Sequence, residues 1–450
     1  MTRSGIKIKD MTVGNPTRMI IEFAVPLLIG NIFQQIYSVV DTMVAGYNLG
    51  DNAIAAIGAT MSLFGVIINI AFGMNGGFAL VVTRCFGAHR DDELRKSIAG
   101  MLTLDLIISL ALTGMAMMFL RPLMHFMNTP DVIFNEAYSY MSVLCMGIIA
   151  TMAYNMFSSI LRAVGNSVIP LVALIIACVL NIILDIVFIA LMHMGVGGAA
   201  LATIIAQTIS AVFAGTYFYR NYKEMLPKRK DFRMERDRTL ELLSNGSAMA
   251  FMFTVIDIGG VFFQAANNSL GEVIIASQTA GRRIVNILMT PLGSISSAAS
   301  TFVGQNWGAG KGSRIKTGIR QACLIEVAWG LIACALGFLF GRYAIIFTTG
   351  TNNPEIIKNA VMCIRIHVPL FWVLGILFVM RNSMQAIGKK TIPVMSSIIE
   401  LLMKLMAAAI LIPKLGYLGT CITEPTTWIL MTLLLLGGYF TYRKTLLADN

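Results

Sequence analysis

Two aspartates, Asp41 and Asp185, stand inside long apolar stretches of the chain. Gln34, Tyr37 and Ser38 precede Asp41 at spacings of three and four residues. On a helix these four positions form one polar stripe. Asn181 lies four residues before Asp185, and Thr203 four before Gln207, so each pair also shares a helix face. An ionisable group in lipid costs roughly 2.5–3.5 kcal/mol on insertion scales, so its presence calls for a task. No Lys or Arg stands at comparable depth in this half of the chain. A carboxylate pair without a counter-ion can share a proton, or it can chelate a hard cation together with amide and hydroxyl oxygens. Asp41, Asn181, Asp185 and Thr203 are therefore read as a cation-coupling site for H⁺ or Na⁺. Gln34 and Tyr37, on the same stripe, are candidates to line a cleft. So are Asn155 and Met156, from a segment that mixes polar and soft apolar groups.

The second half of the chain offers a different set. Asp257, Glu326 and Glu424 are isolated acids in apolar stretches, with Arg282, Arg283, Arg365 and Arg381 as possible partners. Glu400 and Lys404 stand at i and i+4 in the favourable order for an internal ion pair. These groups read as structure or substrate contact, with Asp257 a further cleft candidate.

The elements that position these residues must be membrane helices. The chain has 450 residues, of which 56% are hydrophobic and 13% charged. Soluble proteins carry about 25% charged residues, so a soluble enzyme, a disordered protein and a disulfide module are excluded. A helix needs about 20 apolar residues to cross the bilayer. Twelve stretches qualify: 16–46, 53–82, 95–120, 133–160, 167–192, 197–219, 240–268, 273–304, 315–341, 355–386, 391–412 and 418–441. The first carries Pro26, where a bend or hinge is expected. Residues 1–15 are polar with no apolar run, so the first span is expected to direct insertion itself.

Net charge is +11. With both termini inside, the inner loops and ends hold 25 Lys and Arg against 4 in the outer loops. This bias predicts a multi-pass membrane protein with both termini in the cytoplasm. It also removes the nucleic-acid reading, because the charge is divided among small loops with no basic stripe.

The halves repeat. Leu49-Gly50-Asp51 matches Leu270-Gly271-Glu272, and Phe86-Gly87-Ala88 matches Trp307-Gly308-Ala309, both at an offset of 221. Ala163-Val164-Gly165 and Pro170 match Ala386-Ile387-Gly388 and Pro393 at 223, and Gly195 and Gly198 match Gly416 and Gly419 at 221. Four matches in order indicate an internal duplication. The predicted fold is an all-α integral membrane protein. Its twelve transmembrane helices form two pseudo-symmetric six-helix lobes around a central cleft: residues 1–219, a basic linker 220–239, and residues 240–450.

No Walker loop, GxSxG or HExxH is present, so no ATPase or hydrolase is expected. The seven cysteines and four histidines show no metal-ligand spacing. Gly73-Met74-Asn75-Gly76-Gly77 lies mid-span, where close helix packing is its expected use.

Over residues 16–440 the chain resembles the multidrug and toxic compound extrusion (MATE) family. The resemblance rests on Ala24-Val25-Pro26, Val40-Asp41-Thr42, Gly87-Ala88 and Leu161-Arg162-Ala163-Val164-Gly165-Asn166. It rests further on Asn181 with Asp185, and on the run Gly304-Gln305-Asn306-Trp307-Gly308-Ala309-Gly310. The resemblance implies a secondary antiporter working by alternating access. It would exchange small organic cations or drugs for H⁺ or Na⁺, as a monomer in the bilayer with no other cofactor. It also implies that the lobe-one cation site is Asp41, Asn181, Asp185 and Thr203. Another branch uses carboxylates in spans 7 and 10; here span 7 offers Asp257, but the interior of span 10 has no acid. Flippases of lipid-linked precursors share the superfamily, and the second-half arginines keep that alternative open.

Overall fold

A computed structural model describes residues 9–127 and 129–446. The side chains of Ser38, Thr42 and Asp51 lie outside the described set. The described residues form helices and turns, with no strand among them. The first helices are α1 (Pro16–Leu49), α2 (Asp51–Gly87), α3 (Asp91–Phe126), α4 (Asp131–Met146), α5 (Ile148–Ala163), α6 (Val168–Asp185) and α7 (Gly195–Asn221). There follow α8 (Arg236–Asn268), α9 (Glu272–Gly308), α10 (Gly312–Thr349), α11 (Pro354–His367) and α12 (Phe371–Ala386). The last are α13 (Thr391–Met406), the short α14 (Ile412–Leu415) and α15 (Tyr417–Leu446). Among the described residues eleven helical runs are long and apolar enough to cross a bilayer. The pair α4 and α5, bent by 45° at their junction, makes a twelfth. The expected spans all fall on these helices.

The duplication is visible in the backbone. α2 and α9 start and end 221 residues apart. Gly50 and Gly271, which precede them, both have positive φ, 81° and 94°. Only glycine takes this conformation without strain, and it turns the chain tightly from one span into the next. α6 and α13 each run into a wider π-helical turn, Ile186–Leu191 and Ala407–Leu411. Such turns shift the helix register and are frequent at functional sites.

Two compact units divide the chain. Unit 1 contains Asp10 and Pro26–Ala250, and unit 2 contains Met11–Val25 and the residues from Phe251 onward. Pro26, the expected hinge, is thus the first residue of α1 that belongs to unit 1, and α1 continues through it as helix. Proline removes one backbone donor from the helical ladder there.

Unit 1 is built around Phe78, Val82, Leu94, Ile98, Met101, Ile160 and Leu161, from α2, α3 and α5. Gly73 and Gly77 lie on the first half of α8, at Asn245–Ala250. A Cβ on either would stand 2.4 Å from Ala250 Cα or 2.3 Å from the Asn245 carbonyl oxygen. This is the close packing expected of that glycine run. The stretch 220–239, expected to be a separate linker, packs within unit 1. Met225 is buried in its core, and buried Asp231 accepts from the Lys228 backbone N–H at 2.8 Å and faces Arg95 at 3.6 Å.

Unit 2 buries Met11 against the motif after span 8. The Met11 N–H donates to Gln305 Oε1 at 2.9 Å, and Asn306 Nδ2 donates to the Met11 carbonyl at 3.0 Å. Gln305 and Asn306 are fully buried. Their side chains replace the backbone partners that a non-helical segment lacks.

Candidate functional site

The candidate site lies wholly within unit 1, in a cavity of about 320 Å³. α1 brings Gln34, Tyr37 and Asp41 to its wall, α5 brings Thr151, Tyr154 and Asn155, α6 brings Asn181, and α7 brings Thr203 and Gln207. The apolar side of the wall includes Phe64, Ile68 and Phe72 of α2, with Leu144 and Leu174. None of the lining residues is Lys, Arg or His.

The helix stripe of α1 and the i, i+4 pairs of α6 and α7 converge. The Tyr37 hydroxyl lies 3.4 Å from the Thr203 hydroxyl. Thr203 Oγ1 also donates to the Ala199 carbonyl at 3.1 Å. The Asn181 amide, turned with its nitrogen toward Asp185, donates to Oδ2 at 2.8 Å. Its oxygen then accepts from the Thr203 N–H at 3.0 Å and lies 3.2 Å from the Thr203 hydroxyl oxygen. Asp185 is fully buried, and its carboxyl is within hydrogen-bonding reach of that of Asp41. It is also the last residue of α6, at the point where the π-helical turn begins.

Asp41 Oδ1, Asp185 Oδ1 and Gln207 Oε1 are buried and have no donor. Oxygens left bare in a low-dielectric site are costly unless a proton or cation reaches them. The donor set is two carboxylates with neutral oxygens, which suits a proton or a monovalent hard cation. Among the described residues no three His, Cys, Asp or Glu side chains converge as a metal cluster.

The structure brings together Asp41, Asn181, Asp185 and Thr203; Asp41, Asn181 and Thr203 share the cavity wall with Gln34, Tyr37 and Asn155, whereas Asp185 is fully buried and not on that wall. Met156 is not on that wall; it is buried in the unit 1 core beside Ile160. Adjacent residues of a helix point about 100° apart, so Asn155 and Met156 cannot share a face. Asp257 belongs to α8 in unit 2 and lines no part of this cavity. Tyr140, Thr151 and Tyr154, which the sequence reading did not single out, complete the wall. Asp105 of α3 was also passed over. It is buried with one oxygen unpartnered, 221 residues before Glu326, whose two oxygens are likewise buried and unpartnered. The repeat offset, which relates Asp105 to Glu326, is the signal in the sequence that would have found it.

Unit 2 carries an ion-pair chain instead. Arg282 of α9 pairs with Glu424 of α15, and His367 Nε2 stands 3.5 Å from the same carboxylate. Lys404 pairs with Glu400 at 3.0 Å, as their spacing predicts, and Arg381 approaches Glu400 at 4.0 Å and donates to Ser397. Arg365 lies over the Phe338 ring at 5.7 Å.

The MatE family profile matches residues 26–187 and again 248–410. The chain belongs to the MatE family. Its two matches fall on the two copies of the repeat. The MatE chain is 25% identical over 387 residues to a probable multidrug resistance protein, YpnP, of Bacillus subtilis strain 168, covering 85% of each. It is 24% identical over 434 residues to YoeA of the same organism, also named a probable multidrug resistance protein, covering 94% of this chain and 93% of that one. A crystal structure of a MATE in the bent conformation superposes with a TM-score of 0.91 at 22% identity, covering 98% of both chains. This MatE chain is a membrane transporter, not an enzyme.

Proposed function

We propose that the chain is a cation-coupled efflux antiporter for organic cations and drugs, coupled through the Asp41/Asp185 pair. One observation carries the reading: two carboxyls from α1 and α6 meet beside Asn181 and Thr203, that of Asp41 on a cavity lined by no basic residue. The names of the two Bacillus relatives support the drug-efflux part. A proton or sodium ion entering from outside occupies the pair. Neutralising it removes the attraction for a cationic substrate and lets α1 repack about Pro26. Substrate leaves outward, and the carrier resets. The chain works as a monomer in the cytoplasmic membrane with both termini inside, and needs no cofactor beyond the coupling ion.

For an uncharged drug the membrane potential suffices; export of a monovalent cation against one ion moves no net charge and draws on the ion's concentration gradient alone. One charge moving through 100 mV is worth about 2.3 kcal/mol. At roughly 150 mV one ion supplies about 3.5 kcal/mol, enough for a gradient of roughly 300-fold of a neutral substrate.

The test is uptake of a fluorescent organic cation into proteoliposomes. It is driven first by a pH gradient in sodium-free buffer and then by a sodium gradient at equal pH, with Asp41→Asn in parallel. Transport driven by one gradient and lost in the folded variant is expected, and it names the ion. A variant that still antiports normally would overturn the assignment. The second reading, a flippase of a lipid-linked precursor, draws on the half-buried Arg282 and the buried Arg381 of unit 2. Failure of the folded parent under both gradients would favour it.

A further inference from the structure

Unit 2 repeats the helix junction that holds the Asp41/Asp185 site, and a side chain of its own occupies it. In unit 1 the junction is α1, α6 and α7, marked by Tyr37, Asn181 and Thr203. The offset of 221 that relates α7 to α15 through Gly195 and Gly416 places Glu424 at the position of Thr203. The offset of 223 that relates α6 to α13 through Pro170 and Pro393 places Lys404 at the position of Asn181. Both α6 and α13 then enter a π-helical turn.

The Lys404 ammonium lies among oxygens, as a bound cation would. Its Nζ is 3.0 Å from Glu400 Oε1 and donates to the Ile256 carbonyl of α8 at 3.4 Å. Gly259 makes room for its stem: a Cβ there would stand 3.0 Å from Lys404 Cδ. Glu424 is held by Arg282. Each of these two acids therefore has a cation from the chain itself, Glu400 with the nearer Lys404 at 3.0 Å and Arg381 at 4.0 Å, whereas no Lys, Arg or His lines the cavity beside Asp41.

We propose that Lys404 is a resident cation, standing in unit 2 where unit 1 takes a mobile one, so that the chain couples through one cation site instead of two. The proposal rests on the reading of Asp41/Asp185 as the mobile-ion site. It gives Lys404 a role in setting the ion count per transport cycle, and it makes Glu400 the carboxylate of a latent second site.

The experiment counts cations bound per chain in nanodiscs. Sodium binding is followed by calorimetric titration at fixed pH, and proton uptake by an indicator dye in sodium-free buffer. Lys404→Asn, which copies the residue of unit 1, is expected to bind one cation more than the parent. Lys404→Met, which keeps the stem beside Gly259, tests the same point if the first variant does not stay monodisperse. The gain should persist when Asp41→Asn is added, vanish with Glu400→Gln, and be absent in Lys404→Arg. A folded Lys404→Asn or Lys404→Met protein with the parent's count would overturn the proposal. Failure of the unit 1 reading shows separately, as an Asp41→Asn single variant that still binds the parent's full complement.

Discussion

The hydroxyls of Tyr37 and Thr203 stand 3.4 Å apart, from helices 166 residues distant in the chain. This contact ties α1 to α7, and the same Thr203 oxygen engages Asn181 of α6. One hydroxyl thus joins the three helices that surround the carboxylate pair.

Thr203→Val keeps the side-chain volume and deletes that oxygen. It should leave folding intact and raise the half-saturating concentration of the driving cation about fivefold, the equivalent of ~1 kcal/mol for one hydrogen bond. Initial uptake rates measured against ion concentration would check this. An unchanged value would place Thr203 outside the ion's shell.

Asp185→Asn should separate transport from its driving force. The variant places an amide beside the Asn181 amide and leaves Asp41 alone. Equilibration of substrate across the membrane is expected to persist while accumulation against a gradient is lost. Proteoliposomes with and without an imposed cation gradient distinguish the two.

Gly147, between α4 and α5, admits no side chain. A Cβ there would lie 2.2 Å from Ile204 Cγ1 of α7. Gly147→Ala should lower stability by about 1–3 kcal/mol, the usual cost of overpacking. Ile204→Ala in the same chain should recover most of that loss, read as the thermal midpoint in detergent.

Arg282→Ala would strand Glu424 and His367 inside unit 2. The Arg282 side chain is 33% exposed and Glu424 keeps His367 at 3.5 Å, so this variant should lower the thermal midpoint in detergent by the equivalent of about 1–3 kcal/mol. Arg282→Ala with Glu424→Ala should be the more stable of the two. The reverse order would mean that the pair contributes nothing to folding.

Helix positions were legible because lipid imposes a length and a composition on every span. The twelve apolar stretches and the helices agree to within a few residues at most ends. The polar face of α1 and the pairs on α6 and α7 were legible for a related reason: a polar group in an apolar helix has few places to point. What spacing does not encode is which neighbour a face meets. Asn155 and Met156 are adjacent in sequence, yet one lines the cavity and the other packs in the core. Tyr140 and Tyr154 resemble ordinary span-end aromatics until α4 and α5 are placed beside α6. Asp257 looks like an acid of the same kind as Asp41, but it belongs to the other unit.

The stretch 220–239 is the longest polar segment between spans, and so the obvious place to insert a reporter or an epitope. Its folded contacts argue otherwise. Tyr222 stacks on Phe218 at 5.4 Å and accepts from Asn166 at 3.0 Å, Met225 enters the core, and Lys96 grips Glu235 at 2.7 Å. Tolerance to insertion follows burial and hydrogen bonding of the backbone, not loop length. A tag placed within residues 222–235 would pull apart a docked lid of unit 1. The exposed turn around Asn352 and Asn353 makes no such contacts with a core and is the better site for engineering.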